Sequence, residues 1–305
     1  MLKKENLFIL TNHTDDLGEF VEETMRGYRQ SIMDGNEKTL LEKYTPMEFA
    51  CCASAKYCQN DMNVFVGVGL SLLPAQLAHL LHAPDMTIIY EGGSIGSTVV
   101  GGAPMGVDVT CIQANAECQT DVISTLGWLT QSGRVDLTYL GAAQIDKYGN
   151  INTTLRGMDF FQPVTRISGS GGAHDLAVGS KQFIVIMNHR RDRIVERLDY
   201  RTSPGFCEGG RSRWDDWGLS GGGPIAIYTD LAVLRPNLES YELEISEAYP
   251  FTSIEEIKEK TGYDIKVAQN FKWTDLPTDE EIKILRKALD PYGDYTGWRE
   301  QIRQL

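Results

Sequence analysis

The sequence predicts an α/β protein built on an open, mainly parallel sheet flanked by helices, and two patterns carry that expectation. Asn63-Val-Phe-Val-Gly-Val-Gly-Leu70 is a β-rich run ending in Gly67 and Gly69, a helix follows from about Pro74 to Leu81, and Met86-Thr-Ile-Ile-Tyr90 is a second strand. Strand, helix and strand in that order imply a right-handed parallel crossover. Short apolar runs then recur at residues 135–140, 182–187, 225–228 and 231–234, separated by glycine-rich loops and polar stretches.

Residues 1–44 are expected to form an acidic helical extension, with Phe20, Val21, Met25, Tyr28 and Ile32 at helix-like spacing and Gly35 as its stop. Residues 45–305 are expected to form the α/β domain with a C-terminal helical tail. Its first helix starts after Thr45-Pro46, where Thr45 caps, proline suits the first turn, and Glu48 stands at the capping-box position. Gly149-Asn150 is a turn signal after the strand at 135–140. Helices are expected over Ser253–Lys260 and from about Thr278 to Leu289.

A chain of 305 residues, 42% hydrophobic and 23% charged, can bury a large core. Its formal charge of −13 argues against nucleic acid, which needs concentrated Lys and Arg to displace counterions. An anionic substrate would need local positive potential, and Arg190, Arg191, Arg193, Arg197 and Arg201 are the densest basic cluster. The six cysteines (51, 52, 58, 111, 118 and 207) follow no metal-ligand spacing and read as reduced thiols. No signal peptide or membrane-length apolar run is evident, so the expectation is a cytoplasmic protein without a membrane partner.

Glu91 stands where the second strand enters Gly92-Gly93-Ser94-Ile95-Gly96. The C-terminal edge of strands is where open α/β sheets place their chemistry, and the parallel crossover puts the Gly67–Leu70 turn beside it. Glycines there admit a ligand or a second backbone closely. Glu91 is the candidate nucleophile; its alternative is an exposed loop acid. Other chemistries lack their residues: there is no Walker A loop, no complete dinucleotide fingerprint, no G-x-S-x-G elbow and no histidine cluster. Cys207 has no recognisable catalytic partner.

Gly141-Ala-Ala-Gln-Ile-Asp-Lys-Tyr-Gly-Asn-Ile-Asn152, Gly169-Ser-Gly-Gly-Ala-His-Asp175 and Leu198-Asp-Tyr-Arg-Thr-Ser-Pro-Gly205 resemble the β-subunit of family I CoA-transferases, glutaconate CoA-transferases above all. Val66-Gly-Val-Gly-Leu70, Ala83-Pro-Asp85 and Ile88-Ile-Tyr-Glu91 match in the same order, so the likeness spans about residues 45–291. It implies a CoA-transferase-like (NagB/RpiA-like) fold, coenzyme A thioesters as substrates with no tightly bound cofactor or metal, and an α-type partner subunit in a hetero-oligomer. It implies that Glu91 forms an acyl-glutamyl anhydride and then a glutamyl-CoA thioester. It assigns Gly171, Gly172 and Ala173 to an oxyanion or CoA-contacting loop, Gln144 to a side-chain donor, and Gly67, Gly69, Gly92 and Gly93 to the substrate-site turns. For Gln144 the alternative is a buried hydrogen bond to backbone, and for the glycines a tight turn. The family commonly has Ser or Asn after the glutamate where this chain has Gly92, which keeps an acyl-CoA hydrolase or ring-opening enzyme as the alternative activity. A ligand-sensing domain needing no nucleophile is the non-enzyme reading.

Overall fold

The computed structural model describes residues 43–99, 102–104, 106 and 109–304. The helix expected in the N-terminal extension falls on residues 1–42, outside those described. The elements run α1 (Pro46–Ala55), β1 (Asn63–Val66), a 3₁₀ turn (Gly69–Leu72), α2 (Leu73–Leu81), β2 (Thr87–Tyr90), β3 (Ser94–Ile95), α3 (Thr110–Gln113), β4 (Cys118–Gln119) and a π-helical segment (Ile123–Thr130). Then come β5 (Leu137–Gly141), β6 (Gln144–Asp146), β7 (Ile151–Asn152), β8 (Leu155–Arg156), β9 (Thr165–Arg166), α4 (Ala173–Gly179), β10 (Phe183–Ile186), β11 (Ile194–Val195) and α5 (Ser212–Asp215). The chain continues with β12 (Pro224–Tyr228), β13 (Ala232–Pro236), β14 (Leu243–Ala248), α6 (Ile254–Glu259), β15 (Val267–Trp273), α7 (Asp279–Ile284), a π turn (Leu285–Leu289) and α8 (Trp298–Gln304).

Ten strands form one sheet in the order β15-β14-β13-β12-β10-β5-β1-β2-β3-β4. Its centre, β12-β10-β5-β1-β2, is parallel throughout, while β3, β4 and β13 run antiparallel to their neighbours. The strands expected at residues 86–90, 135–140, 182–187, 225–228 and 231–234 are all present, shifted by a residue or two at their ends, while the β-rich run at 63–70 is a strand only as far as Val66 and passes into the 3₁₀ turn at Gly69. Strands β14 and β15 have no counterpart among those expectations. Glu244, Ser246 and Glu247 interrupt the apolar pattern of the first, and Gln269, Asn270 and Lys272 that of the second. Pairing in the sheet, rather than sequence pattern, makes them strands.

The central strands are buried on both faces, so they read as continuous apolar runs. The pleat divides them: Val64, Val66, Ile88, Tyr90, Ile184 and Ile186 belong to one core with α1 and α2. Phe65, Ile89, Leu140, Val185 and Ile227 belong to a second core on the opposite face, with Leu176 and Ala177 of α4. A three-stranded sheet, β11-β6-β7, adds Ile145, Ile151 and Ile194 to that second core.

The capping box expected at α1 is formed: Thr45 accepts from the Glu48 amide and Glu48 from the Thr45 amide. Glu48 is fully buried and has a second task. Its carboxylate takes a bidentate grip from Arg286, at 2.6 Å to Nε and 2.7 Å to the terminal nitrogen, and the same guanidinium donates to the Lys43 carbonyl. Arg286 thereby fastens the C-terminal helical tail onto the start of the domain. Replacing it with alanine leaves a buried carboxylate without its cation, so Arg286→Ala is expected to destabilise the fold by about 3–5 kcal/mol, read by denaturant unfolding.

His189 follows β10 and lies buried between the Thr229 and Thr261 hydroxyls, 3.1 and 3.0 Å from its two ring nitrogens. Burial, reinforced by the Lys260 charge, pushes its pKa down to about 4. The folded state therefore favours neutral imidazole, and this contribution is whole above the unfolded value near 6.5 and is lost as pH falls toward 4. Up to roughly 3 kcal/mol is at stake. His189→Gln should flatten the loss of stability between pH 6.5 and 4 measured by thermal unfolding.

Candidate active site at the C-terminal edge of the sheet

Parallel register brings the first site elements together. Val66 of β1 pairs with Tyr90 of β2, so Gly67 and Glu91 are the next residues on adjacent strands, at the same edge. Side chains alternate along β2: Tyr90 enters the first core and Ile89 the second. Two residues beyond Ile89, Glu91 is therefore carried toward the second face, where α4 packs.

The turn after Glu91 is built on a close backbone contact. Gly93 has φ +102°, its carbonyl accepts from the Thr120 amide at 2.9 Å, and an added Cβ would stand 2.1 Å from the Thr120 carbonyl oxygen. Only glycine fits there. Gly92, by contrast, has no positive φ. Gly69 opens the 3₁₀ turn at φ +78° and lies against the Tyr295 ring, so its lack of a side chain serves packing as well as the turn.

Glu91 is half-buried, and its Oε1 accepts a hydrogen bond from the Gly172 amide at 3.1 Å. Its other oxygen, Oε2, takes no hydrogen bond from the described residues. One oxygen is thus held while the other is unpaired among the described residues. Gly172 is buried, and a Cβ on it would come within 2.8 and 2.9 Å of the Leu126 methyls and 3.2 Å of Glu91 Oε1. Gly171 has φ +47°, and its Cβ position lies 3.8 Å from the same oxygen. The Gly171 amide donates to no acceptor among the described residues, whereas the Ala173 amide is committed to the Ser170 carbonyl. Gly171 therefore offers a free donor beside the carboxylate, and Ala173 does not.

Gln144 is placed differently. It is buried in β6, where its Oε1 accepts from Asn152 Nδ2 at 2.8 Å and from the Asp199 amide at 3.3 Å, and its Nε2 donates to the Asp192 carbonyl at 3.3 Å. No hydrogen bond joins it to Glu91. Of the two roles open to it from sequence, the structure displays the internal bond to backbone. Asn150 is similar: its amide bridges the Asp146 carboxylate, the Cys207 carbonyl, and the Gly205 and Cys207 amides. Burial pushes the Asp146 carboxyl up to about 6, against the lowering effect of the Asn150 bonds.

One site element lies outside the sequence-based expectations. The π-helical segment Ile123–Thr130 lies beside Glu91: Thr125 Oγ1 donates to the Glu91 carbonyl at 3.0 Å, and Leu126 packs on Gly172. π-Helical geometry is rare and recurs at functional sites. Its signal in the sequence is Ile123, Leu126 and Leu129 at helical spacing after Asp121, whose Oδ1 accepts from the Ser124 amide. Among the described residues, no group of three or more His, Cys, Asp and Glu side chains is disposed to hold a metal, and no helix is long and apolar enough to cross a membrane.

Comparison with known proteins agrees with this architecture. Residues 50–260 match the coenzyme A transferase family model. The B-type subunit of the 3-oxoadipate CoA-transferase of Pseudomonas knackmussii is 36% identical, the match covering 81% of this chain and 94% of that one. The B-type subunit of the glutaconate CoA-transferase of Acidaminococcus fermentans is 34% identical over 81% of this chain and 93% of its own. The crystal structure of that glutaconate enzyme superposes with a TM-score of 0.76 and 33% identity, covering 83% of this chain and 97% of the matched one. With a family match over more than half its length and relatives of this identity, the chain belongs to the coenzyme A transferase family.

Proposed function

We propose that the chain is the B-type subunit of a heteromeric CoA-transferase that moves CoA between a small acyl-CoA and a carboxylic or dicarboxylic acid. The observation that carries this reading is Glu91 itself. It is a half-buried carboxylate at a sheet edge, with one oxygen fixed by the Gly172 amide, the other free, and the unpaired Gly171 amide beside it. An exposed loop acid would need none of this. The two relatives are themselves B-type subunits, which motivates an A-type partner that would complete the acyl pocket. The expected setting is the cytoplasm.

The free Glu91 oxygen attacks the thioester carbonyl, and the C–S bond breaks to release CoA thiolate and leave an acyl-glutamyl anhydride. The thiolate then attacks the glutamyl carbon, expels the first carboxylate and forms a glutamyl-CoA thioester. An acceptor carboxylate attacks that thioester, giving a second anhydride and thiolate. Attack of the thiolate on the acceptor's acyl carbon returns Glu91 and yields the new acyl-CoA. A carboxylate suits every step because it is both nucleophile and leaving group, so activation is carried over without ATP. Each tetrahedral oxyanion needs a preorganised donor, and the Gly171 amide, unpaired among the described residues and beside the carboxylate, is suited to supply it.

Glu91→Ala in the assembled enzyme is expected to lower kcat by a factor on the order of 10⁴ or more, as for loss of other covalent nucleophiles. Incubating wild-type complex with acyl-CoA and then borohydride should place a modification on Glu91; an active enzyme with Glu91 unmodified overturns the mechanism. CoA release indifferent to the acceptor acid would instead mark a hydrolase. Gly172→Ala should leave the fold intact by circular dichroism but displace Leu126 or the carboxylate, lowering kcat about 10²-fold.

A further inference from the structure

The arginine cluster at residues 190–201 has no part in the site described so far. Some of its guanidiniums are occupied: Arg190 pairs with Asp192 at 3.0 Å and Arg201 with Glu208 at 2.7 Å. Arg156, from β8, holds Asp192 and Asp199 at 3.3 and 3.2 Å. Arg191, Arg193 and Arg197 form no side-chain ion pair or hydrogen bond with the described residues. Arg191 and Arg197 are exposed and Arg193 is half-buried. Three unpaired guanidiniums on one loop stand out in a chain of net charge −13.

The backbone carrying them is held firmly. Gln144 grips the loop at two points, the Asp192 carbonyl and the Asp199 amide. The Ile145 amide donates to the Arg193 carbonyl at 2.7 Å, the Gly262 amide donates to the Ile194 carbonyl at 2.7 Å, and β11 pairs in parallel with β6. The guanidiniums are thus mounted on an ordered support rather than on a loose surface strand.

Its position relates it to Glu91. The loop leaves β10, whose C-terminal end stands at the same sheet edge, three strand spacings or about 14 Å from β2. It then returns toward the site, since His174 Nδ1, in the first turn of α4, lies 3.0 Å from the Thr202 carbonyl. Gly172, which holds Glu91, directly precedes that helix. The supporting β6, β7 and β11 also lie on the second face of the sheet, the side toward which Glu91 projects.

We propose that Arg191, Arg193 and Arg197 bind the phosphate groups at the nucleotide end of the CoA thioester whose acyl carbon meets Glu91. The proposal rests on the thioester reading above and adds where the far end of the substrate is recognised. A polyphosphorylated ligand approaching an acidic protein needs local positive potential, and arginine supplies it with two parallel N–H donors matched to phosphate oxygens. The pantetheine arm separates the thioester from the phosphates, so a basic loop several strands from the nucleophile is where such contacts belong.

The test compares an acyl-CoA with the corresponding acyl-pantetheine, which carries the thioester without phosphates, in the complete heteromeric enzyme. In the triple variant Arg191→Ser, Arg193→Ser and Arg197→Ser, KM for acyl-CoA should rise at least tenfold with kcat at saturation unchanged. Its salt dependence should flatten, and the acyl-pantetheine reaction should be unaffected. The single variants should each show a smaller rise in KM. An unchanged KM for acyl-CoA overturns the proposal; so does an equal loss with acyl-pantetheine, which would mark a structural role. Failure of the triple variant to assemble with its partner overturns it as well, placing these arginines in the subunit interface. Absence of a Glu91 adduct in the wild-type enzyme would refute the covalent mechanism and leave the KM comparison readable.

Discussion

The pleat of a buried parallel sheet is the constraint on which the candidate site depends. Because successive side chains leave opposite faces, the apolar sequence of β2 fixes the direction of whatever follows it. Ile89 is locked into the second core, so Glu91 is carried to the same side, and there the loop before α4 delivers the Gly172 amide. Moving β2 by one residue would bury Tyr90 against the wrong helices and turn Glu91 away from its donor. The hydrogen bond between residues 91 and 172 follows from packing that has nothing to do with chemistry.

Around that point the chain uses glycine where a neighbouring backbone or side chain comes close rather than where flexibility is wanted. Gly93 admits the Thr120 carbonyl at a separation no side chain would tolerate, and Gly172 leaves room for the Leu126 methyls beside Glu91. The turn after Glu91 is closely packed, and the loop before α4 lies near enough for the Gly172 amide to hold the carboxylate.

The most recognisable motif, Gly141 to Asn152, has a different use. Gln144, Asp146, Asn150 and Asn152 are all buried and bonded to one another or to distant backbone, including the arginine-bearing loop and the turn at Gly205–Cys207. Their polar atoms are satisfied internally, and the cost of leaving any one unpaired in the interior explains why each residue type is specific. They organise the edge of the sheet and make no hydrogen bond to Glu91.

The sequence by itself determined the α/β class, the crossover from β1 through α2 to β2, the capping box at Thr45 and Glu48, and the candidacy of Glu91. These are legible because each depends on neighbours within a few residues: a period of two, a cap three residues from its partner, an acid ending an apolar run. Tertiary structure decided which donors reach Glu91. It assigned Gly172 to the carboxylate, left the Gly171 amide free, committed the Ala173 amide to Ser170, and drew Gln144 into a network with residues 152, 192 and 199. It also made strands of the polar segments β14 and β15 and brought a π-helical segment to the site. Those outcomes depend on contacts between residues far apart in the chain, and the direction of an amide or a side-chain dipole is fixed only when the surrounding core has closed.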